Sequence, residues 1–159
     1  MTFKMISPVL AVMVALGASG CAPRAMLSAP GPRGTGAEAD MAIRELAVRH
    51  MLALPRDGMG VYVSFGTSWN DKIDPPEAFF DRLRDLGDVV HPVSELDELP
   101  HEKAVLVVVS QPFWESDHAA TVSAVRFRFG VGGADGLSAR ATWADGVWTL
   151  AATVTNWGT

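Results

Sequence analysis

His91, Ser94 and Asp97 place an imidazole, a hydroxyl and a carboxylate within one short segment, the three group types of a nucleophilic hydrolase. Such triads assemble from separate segments, and neither a Gly-x-Ser-x-Gly elbow nor an oxyanion loop accompanies Ser94. Ser94-x-x-Asp97 reads instead as the cap of a helical turn. A second set, His101, Glu102, Glu115, Asp117 and His118, mixes imidazole and carboxylate as a zinc or manganese site would. It holds no His-x-x-x-His or His-Glu-x-x-His pair, and Glu115 to His118 reads as a polar turn between strands. His50 lies four residues from both Leu46 and Leu54, where a cation near a helix C-terminus suits the dipole. No catalytic residue, metal or cofactor is expected, and an enzyme is the less favoured reading.

Five tryptophans accompany a single tyrosine, Tyr62. Such rings pack in cores by default, and they also line ligand pockets and sugar-binding faces. Trp143 and Trp148 are accounted for by a hairpin described below. Trp69 sits in a polar stretch beside Asn70 and Asp71, which makes it the best exposed candidate for binding. Tyr62, Trp69 and His91 are therefore the candidate ligand-binding residues, and His91 with Asp97 or Tyr62 is the pair an enzyme would need to bring together. The glycines of Gly130 to Gly136 make no phosphate cradle, because no helix follows and no lysine is placed to help.

Cys21 is the only cysteine, so an intramolecular disulfide and a multi-cysteine zinc site are excluded. Lys4, then an apolar run from Val9 to Leu16, then Gly17, Ala18, Ser19 and Gly20 give the three-part layout of an export signal. The run is far shorter than the about 20 apolar residues a membrane-spanning helix requires. Ala18-Ser19-Gly20-Cys21 resembles the lipobox of bacterial lipoproteins, with Ala18 where a leucine is more usual and Leu16 further upstream. The resemblance implies cleavage before Cys21 and acylation of that residue with diacylglycerol and a fatty acid such as palmitate. Two or more chains make a stable tether where one is marginal. An ordinary secretory signal cut near Ala22 and an uncleaved anchor are the alternatives. Ala22 replaces the aspartate that favours inner-membrane retention in enteric bacteria, so the resemblance implies a cell-envelope protein on the outer membrane, facing the periplasm, rather than on the inner membrane.

The formal net charge is -5, and removal of residues 1–20 takes away Lys4 and no acid, leaving -6. With no cluster of Lys and Arg there is no footprint for a phosphate backbone, and nucleic acid is not an expected partner. Apolar residues make up 48% and charged residues 19%, the composition of a folded domain. Residues 1–20 are read as signal, 21–36 as acylated cysteine and Pro/Gly-rich linker, and 37–159 as one globular domain.

Within that domain, Ile43, Leu46, Ala47, Met51 and Leu54 recur at helical spacing, with Thr35 and Glu38 as a capping box and Pro55 as the stop. Gly60 to Phe65 alternates like a strand. Asp74-Pro75-Pro76-Glu77 starts a second helix that buries Phe79, Phe80, Leu83 and Leu86 and ends at Gly87. Val89 to Val93 is extended, and an acidic loop with Glu95, Asp97, Glu98 and Glu102 follows. Ala104 to Val109 suits a central strand. In Ala120 to Phe129, Val125, Phe127 and Phe129 oppose Arg126 and Arg128.

Asp145-Gly146 is a two-residue hairpin signal. Counting outward pairs Trp143 with Trp148, Ala141 with Leu150, Ala139 with Ala152 and Leu137 with Val154 on one face. Thr142 with Thr149 and Ser138 with Thr153 occupy the other. The expected fold class is α+β, with two N-terminal helices packed on one side of a mainly antiparallel sheet that ends in a meander.

The terminal Asp-Gly-Val-Trp hairpin is similar to those of NTF2-like and cystatin-like folds over roughly the last third of the chain, and this similarity carries over no functional residue. The whole domain resembles uncharacterised envelope proteins. The function these features favour is a membrane-anchored envelope lipoprotein that binds a protein partner or a small ligand without catalysis. The alternatives are a small NTF2-like hydrolase or isomerase and a structural envelope-assembly protein.

Overall fold

The first helix forms where apolar residues recur at three and four. In the computed structural model, which describes residues 27–28, 36–55, 58–87, 90–98 and 104–157, α1 spans Ala37–Leu52. Ala39, Ala42, Ile43, Leu46, Ala47 and Met51 are buried along it. Glu38 and Asp40 in its first turn and Arg49 and His50 in its last match the helix dipole. No side chain caps it. The N-cap is Gly36, Glu38 pairs with Arg82, and Thr35 lies outside the described residues. His50 is exposed, beside the buried stripe.

The strands are β1 (Leu27–Ser28), β2 (Gly60–Phe65), β3 (Val90–Pro92), β4 (Ala104–Val109), β5 (Phe113–Ser116), β6 (Ala119–Arg128), β7 (Ala134–Ala144) and β8 (Val147–Trp157). They form one open sheet in the order β1-β8-β7-β6-β4-β2-β3, with β5 paired to the start of β6. Pairing is antiparallel from β1 through β4 along that order, whereas β2 lies parallel to both β3 and β4. The β7–β8 register matches expectation at every pair named above, from Trp143 with Trp148 to Leu137 with Val154. Positive φ values of 53° at Asp145 and 80° at Gly146 give the type I′ turn that the strand twist demands.

The second helix is a correction. Among the described residues there is a single long helix, because α2 covers only Glu77–Asp81 and gives way to a 3-10 turn at Arg84–Leu86. Its cap is Pro76, while the Asp74 carboxylate accepts the Ser94 N–H at 2.9 Å instead of closing the helix end. Phe79 and Leu83 are buried, which anchors the segment after barely a turn. Gly87, at φ 79°, then reverses the chain toward β3. Within the acidic loop, Val93–Glu98 forms a 3-10 turn, and Glu102 lies outside the described residues.

α1 packs on β4, β6, β7 and β8. The larger core lies under it and takes one face of the sheet: Val61, Val63, Val105, Val107, Ala120, Val122, Leu137, Ala139, Ala141 and Trp148. On the opposite face the turn Val93–Glu98 covers β2 and β4, joining Val93 and Leu96 to Tyr62, Leu106 and Val108. From β6 to β8 that second face carries exposed Ser123, Ser138 and Thr153. Among the described residues, no helix is long and apolar enough to cross a membrane.

The β6 alternation sorts as expected, but the arginines point inward. Arg126 is 3% exposed on the α1 side and is bonded to Asp135 through Nε at 2.9 Å and Nη2 at 2.6 Å. Its Nη1 also donates to the Pro55 carbonyl at 3.1 Å, just beyond the end of α1, where carbonyls lack helical partners. A buried cation is tolerable there because every side of it meets an acceptor.

Candidate functional site

Beyond β2 the chain turns sharply at Gly66. A Cβ at this position would stand 2.6 Å from the Asp71 Cβ and 2.8 Å from its carbonyl oxygen, so only glycine allows the close approach. The Asp71 carboxylate gathers the loop, accepting the Thr67 hydroxyl at 2.7 Å and the N–H groups of Thr67 at 3.1 Å and Ser68 at 3.2 Å. These bonds, the Thr67 hydroxyl first among them, hold its carboxyl below the usual range. Ser64 fastens the other side, donating to the Asp71 carbonyl at 2.6 Å and accepting the Ile73 N–H at 3.1 Å.

The pinned loop holds Trp69 at 49% exposure over a cleft of about 190 Å³. Val108 of β4 with Val125 and Phe127 of β6 line its apolar part, and Ser110 and Ser123 supply hydroxyl-bearing side chains. Ser110 and Ser123 are tied to each other: the Ser110 N–H reaches the Ser123 carbonyl at 2.9 Å, and the Ser123 N–H reaches the Ser110 hydroxyl at 3.0 Å. The lining contains no charged side chain. Its volume falls below the roughly 300–1,000 Å³ of pockets that enclose whole drug-sized ligands. One ring or one apolar side chain is what it can hold.

Tyr62 and His91, named from sequence, are brought together at the other end of β2. The β2–β3 register sets them opposite each other, and the rings stack with centroids 5.5 Å apart. The Asp97 side chain lies outside the described residues. Among the described residues His91 meets the Glu95 carboxylate, whose Oε2 lies 3.0 Å from His91 Nδ1. Burial, reinforced by the Glu95 charge, pushes the Tyr62 hydroxyl above its ordinary value. The arrangement can orient an imidazole and hold a proton on a phenol. His91 itself is half-exposed on the short edge strand β3, and Ser94 serves as a backbone donor to Asp74. Trp69 is not part of this group, since it follows the opposite end of β2.

The chain matches no protein-family model, no curated protein and no solved structure.

Among the described residues, no three His, Cys, Asp or Glu side chains gather as a metal site. Glu115 is bound to Arg140 at 2.9 Å, Asp117 and His118 form the β5–β6 turn, and His101 and Glu102 lie outside the described residues. Cys21 also lies outside them. Three of the tryptophans pack together: Trp114 and Trp143 stand 5.6 Å and 5.4 Å from the buried Trp148.

Sequence reasoning missed a charged junction between α1 and the segment after β2. Glu45 is fully buried, bonded to Arg49 Nε at 2.8 Å and facing Arg82 Nη1 at 3.4 Å. Arg49 continues to both oxygens of Asp85, at 2.7 and 2.8 Å, and to the Arg82 carbonyl at 2.6 Å. The Asp85 bonds raise the Arg49 pKa, and the same bonds lower that of Asp85. All of these charges are engaged with one another, so the junction fastens α2 to α1. Its only sequence signal was a glutamate within the apolar period of α1, four residues ahead of an arginine.

Proposed function

We propose that this chain is a lipid-anchored envelope protein whose domain binds, without catalysis, a partner or small ligand that presents one apolar ring or side chain. The observation that carries the reading is the cleft beneath Trp69: an exposed indole on a loop fixed by Asp71, above an uncharged apolar floor with two serines at its margin. A large aromatic ring left half in water is costly unless something covers it, and a rigid loop reduces the ordering cost of binding. The tether rests on Cys21, the sole thiol, at the end of the export-signal layout. The acyl chains on Cys21 would hold the domain at the outer membrane, on its periplasmic side, through the linker before α1.

Two experiments test the parts separately. Cys21→Ser abolishes acyl labelling and leaves unprocessed precursor; normal processing of that variant contradicts the anchor. For the site, titration with indole and with p-cresol, followed by protein NMR, moves the amides of Trp69, Ser110, Ser123, Val125 and Phe127. Trp69→Ala removes those shifts. Shifts centred on other residues, or unchanged in Trp69→Ala, contradict the binding reading.

The enzymatic reading keeps one supporting observation, the Glu95–His91–Tyr62 contact. It is the weaker reading, because the cleft described above is lined by other residues and His91 stands at an open edge.

A further inference from the structure

The floor of the Trp69 cleft continues across the sheet to a second exposed indole. Val125 of that floor stands between Val108 of β4 and Gly136 of β7, and Gly136 stands opposite Thr155 of β8. Phe127, which also lines the cleft, shares the next row with Ala134 and Trp157. These residues occupy the face away from α1, because Ala124 and Leu137 belong to the core beneath that helix and successive residues of a strand alternate between faces. The Trp157 ring leans from its own row over Gly136, where an added Cβ would stand 2.4 Å from Cη2 and 2.8 Å from Cζ2. Only glycine leaves the ring that place, and Trp157 remains 52% exposed there. Val108 and Gly136 are two strand spacings apart, about 10 Å. Trp69 bounds one end of this strip and Trp157 the other.

The row beside the strip carries hydroxyls. Ser123, Ser138 and Thr153 stand in register on β6, β7 and β8, all exposed. Ser110 joins them at the end of β4 through its bond from the Ser123 N–H. Among the described residues, the hydroxyls of Ser123, Ser138, Thr153 and Thr155 have no hydrogen-bond partner. One row further, Arg140 stands opposite Thr121, and its charge is engaged by Glu115 at 2.9 Å.

We propose that this face binds a neutral, extended oligosaccharide, with one pyranose ring against Trp69 and another against Trp157; the proposal rests on the reading of the Trp69 cleft as a binding site. A pyranose has an apolar face of C–H bonds and a rim of hydroxyls. Its C–H face covers an indole, and its rim meets serine and threonine hydroxyls, which both donate and accept. The cleft of about 190 Å³ takes a single ring, so the second indole has a use only for a ligand of several rings. The uncharged lining favours a neutral sugar, because an anionic one would give up hydration with no cation to replace it. A helical peptide is the poorer occupant. It needs a broad apolar groove, whereas a row of hydroxyls lies directly beside this strip.

The test uses the full-length chain in detergent, observed by NMR and titrated with cellotetraose, with chitotetraose and with glucose. A tetrasaccharide moves the amides of Ser123, Val125, Gly136, Ser138 and Thr155 and the indole N–H signals of Trp69 and Trp157. It binds more tightly than glucose by about tenfold or more, because a second linked ring adds to the first. Trp157→Ala removes that advantage and leaves the p-cresol shifts at Trp69 intact, and Trp157→Phe, which keeps a ring, restores most of it. If neither tetrasaccharide has an effect while p-cresol still moves the Trp69 amides, the sugar proposal is overturned and the cleft reading stands. If p-cresol is also without effect, both fall. Tetrasaccharide affinity unchanged in Trp157→Ala, or shifts centred on other residues, overturns the proposal. So does a capped neutral tripeptide with two aromatic side chains that moves both indole signals where the sugars do not, since it assigns the face to a protein partner.

Discussion

Replacing Asp135 with alanine isolates the buried ion pair that fixes α1 to the sheet. Asp135 accepts Arg126 Nη2 at 2.6 Å and Nε at 2.9 Å, and it accepts Asn156 Nδ2 at 2.7 Å. Without the carboxylate, a guanidinium 3% exposed keeps its charge with no counter-ion. Arg128, whose Nε lies 3.9 Å from the same carboxylate, changes from a shared partner to a repelling neighbour. Removing one member of a buried pair costs about 3–5 kcal/mol, a large share of the about 5–15 kcal/mol that holds a domain together. The expected loss by urea unfolding is therefore about 3–5 kcal/mol, and the melting temperature falls by on the order of 10–20 °C.

The double variant Arg126→Met with Asp135→Val removes the orphaned charge and recovers at least half of that loss, since apolar replacement of a buried pair is often close to neutral. It does not recover all of it, because the Pro55 carbonyl loses its donor. Asp135→Ala within about 1 kcal/mol of wild type would refute the reasoning, as it would show that water or another group already neutralises Arg126.

Gly66→Ala forces the Asp71 backbone to move, because the added carbon meets its carbonyl oxygen at 2.8 Å; the expected cost is about 1–3 kcal/mol, with the amide resonances of Thr67 to Asp71 displaced in NMR spectra. Tyr62, whose hydroxyl is raised above its ordinary value by burial and by Glu95, stabilises the fold fully below the unfolded tyrosine pKa near 10 and loses that contribution as pH rises through the folded value. Tyr62→Phe therefore flattens the alkaline limb of a stability-against-pH curve and leaves the neutral region parallel to wild type. Asp71 has the opposite sign. Its lowered carboxyl contributes above the unfolded aspartate value near 4 and ceases to contribute as pH falls through the folded one, so Asp71→Asn weakens the acid dependence of Trp69 loop order followed by NMR.

The hairpin of β7 and β8 was legible because a two-residue turn leaves one register that sorts both faces, and that register is local in sequence. α1 and β4 were legible for a similar reason: periodicity in the first and an unbroken apolar run in the second mark their burial directly. Parallel pairing of β2 with β3 and β4 was not legible, since nothing local records which neighbour a strand takes after a crossover. The second helix failed because a sound start, Pro75-Pro76-Glu77, says nothing of length; tertiary contacts of Arg82 and Asp85 with α1 hold the segment in its 3-10 form.

The arginines of β6 were read only as opposing the apolar residues. Their burial depends on Asp135 and on carbonyls near the end of α1, groups remote in sequence from Arg126. Of the site, Trp69 was visible from its polar neighbours, and Tyr62 with His91 from their types. The cleft floor was hidden, because Val108 sits in a run of valines that marks no face. Glu95 was seen as part of an acidic loop, and its bond to His91 depends on the turn from β3 into the 3-10 segment.

The central claim is that Trp69 meets a partner or ligand at the membrane. Placing a photoactivatable p-benzoylphenylalanine at position 69 of the full-length chain, and at Val131 as an exposed control, tests it in native membranes. The account predicts a discrete adduct from position 69, absent from position 131 and lost in the Cys21→Ser background. No adduct, or the same adducts from both positions, would contradict it.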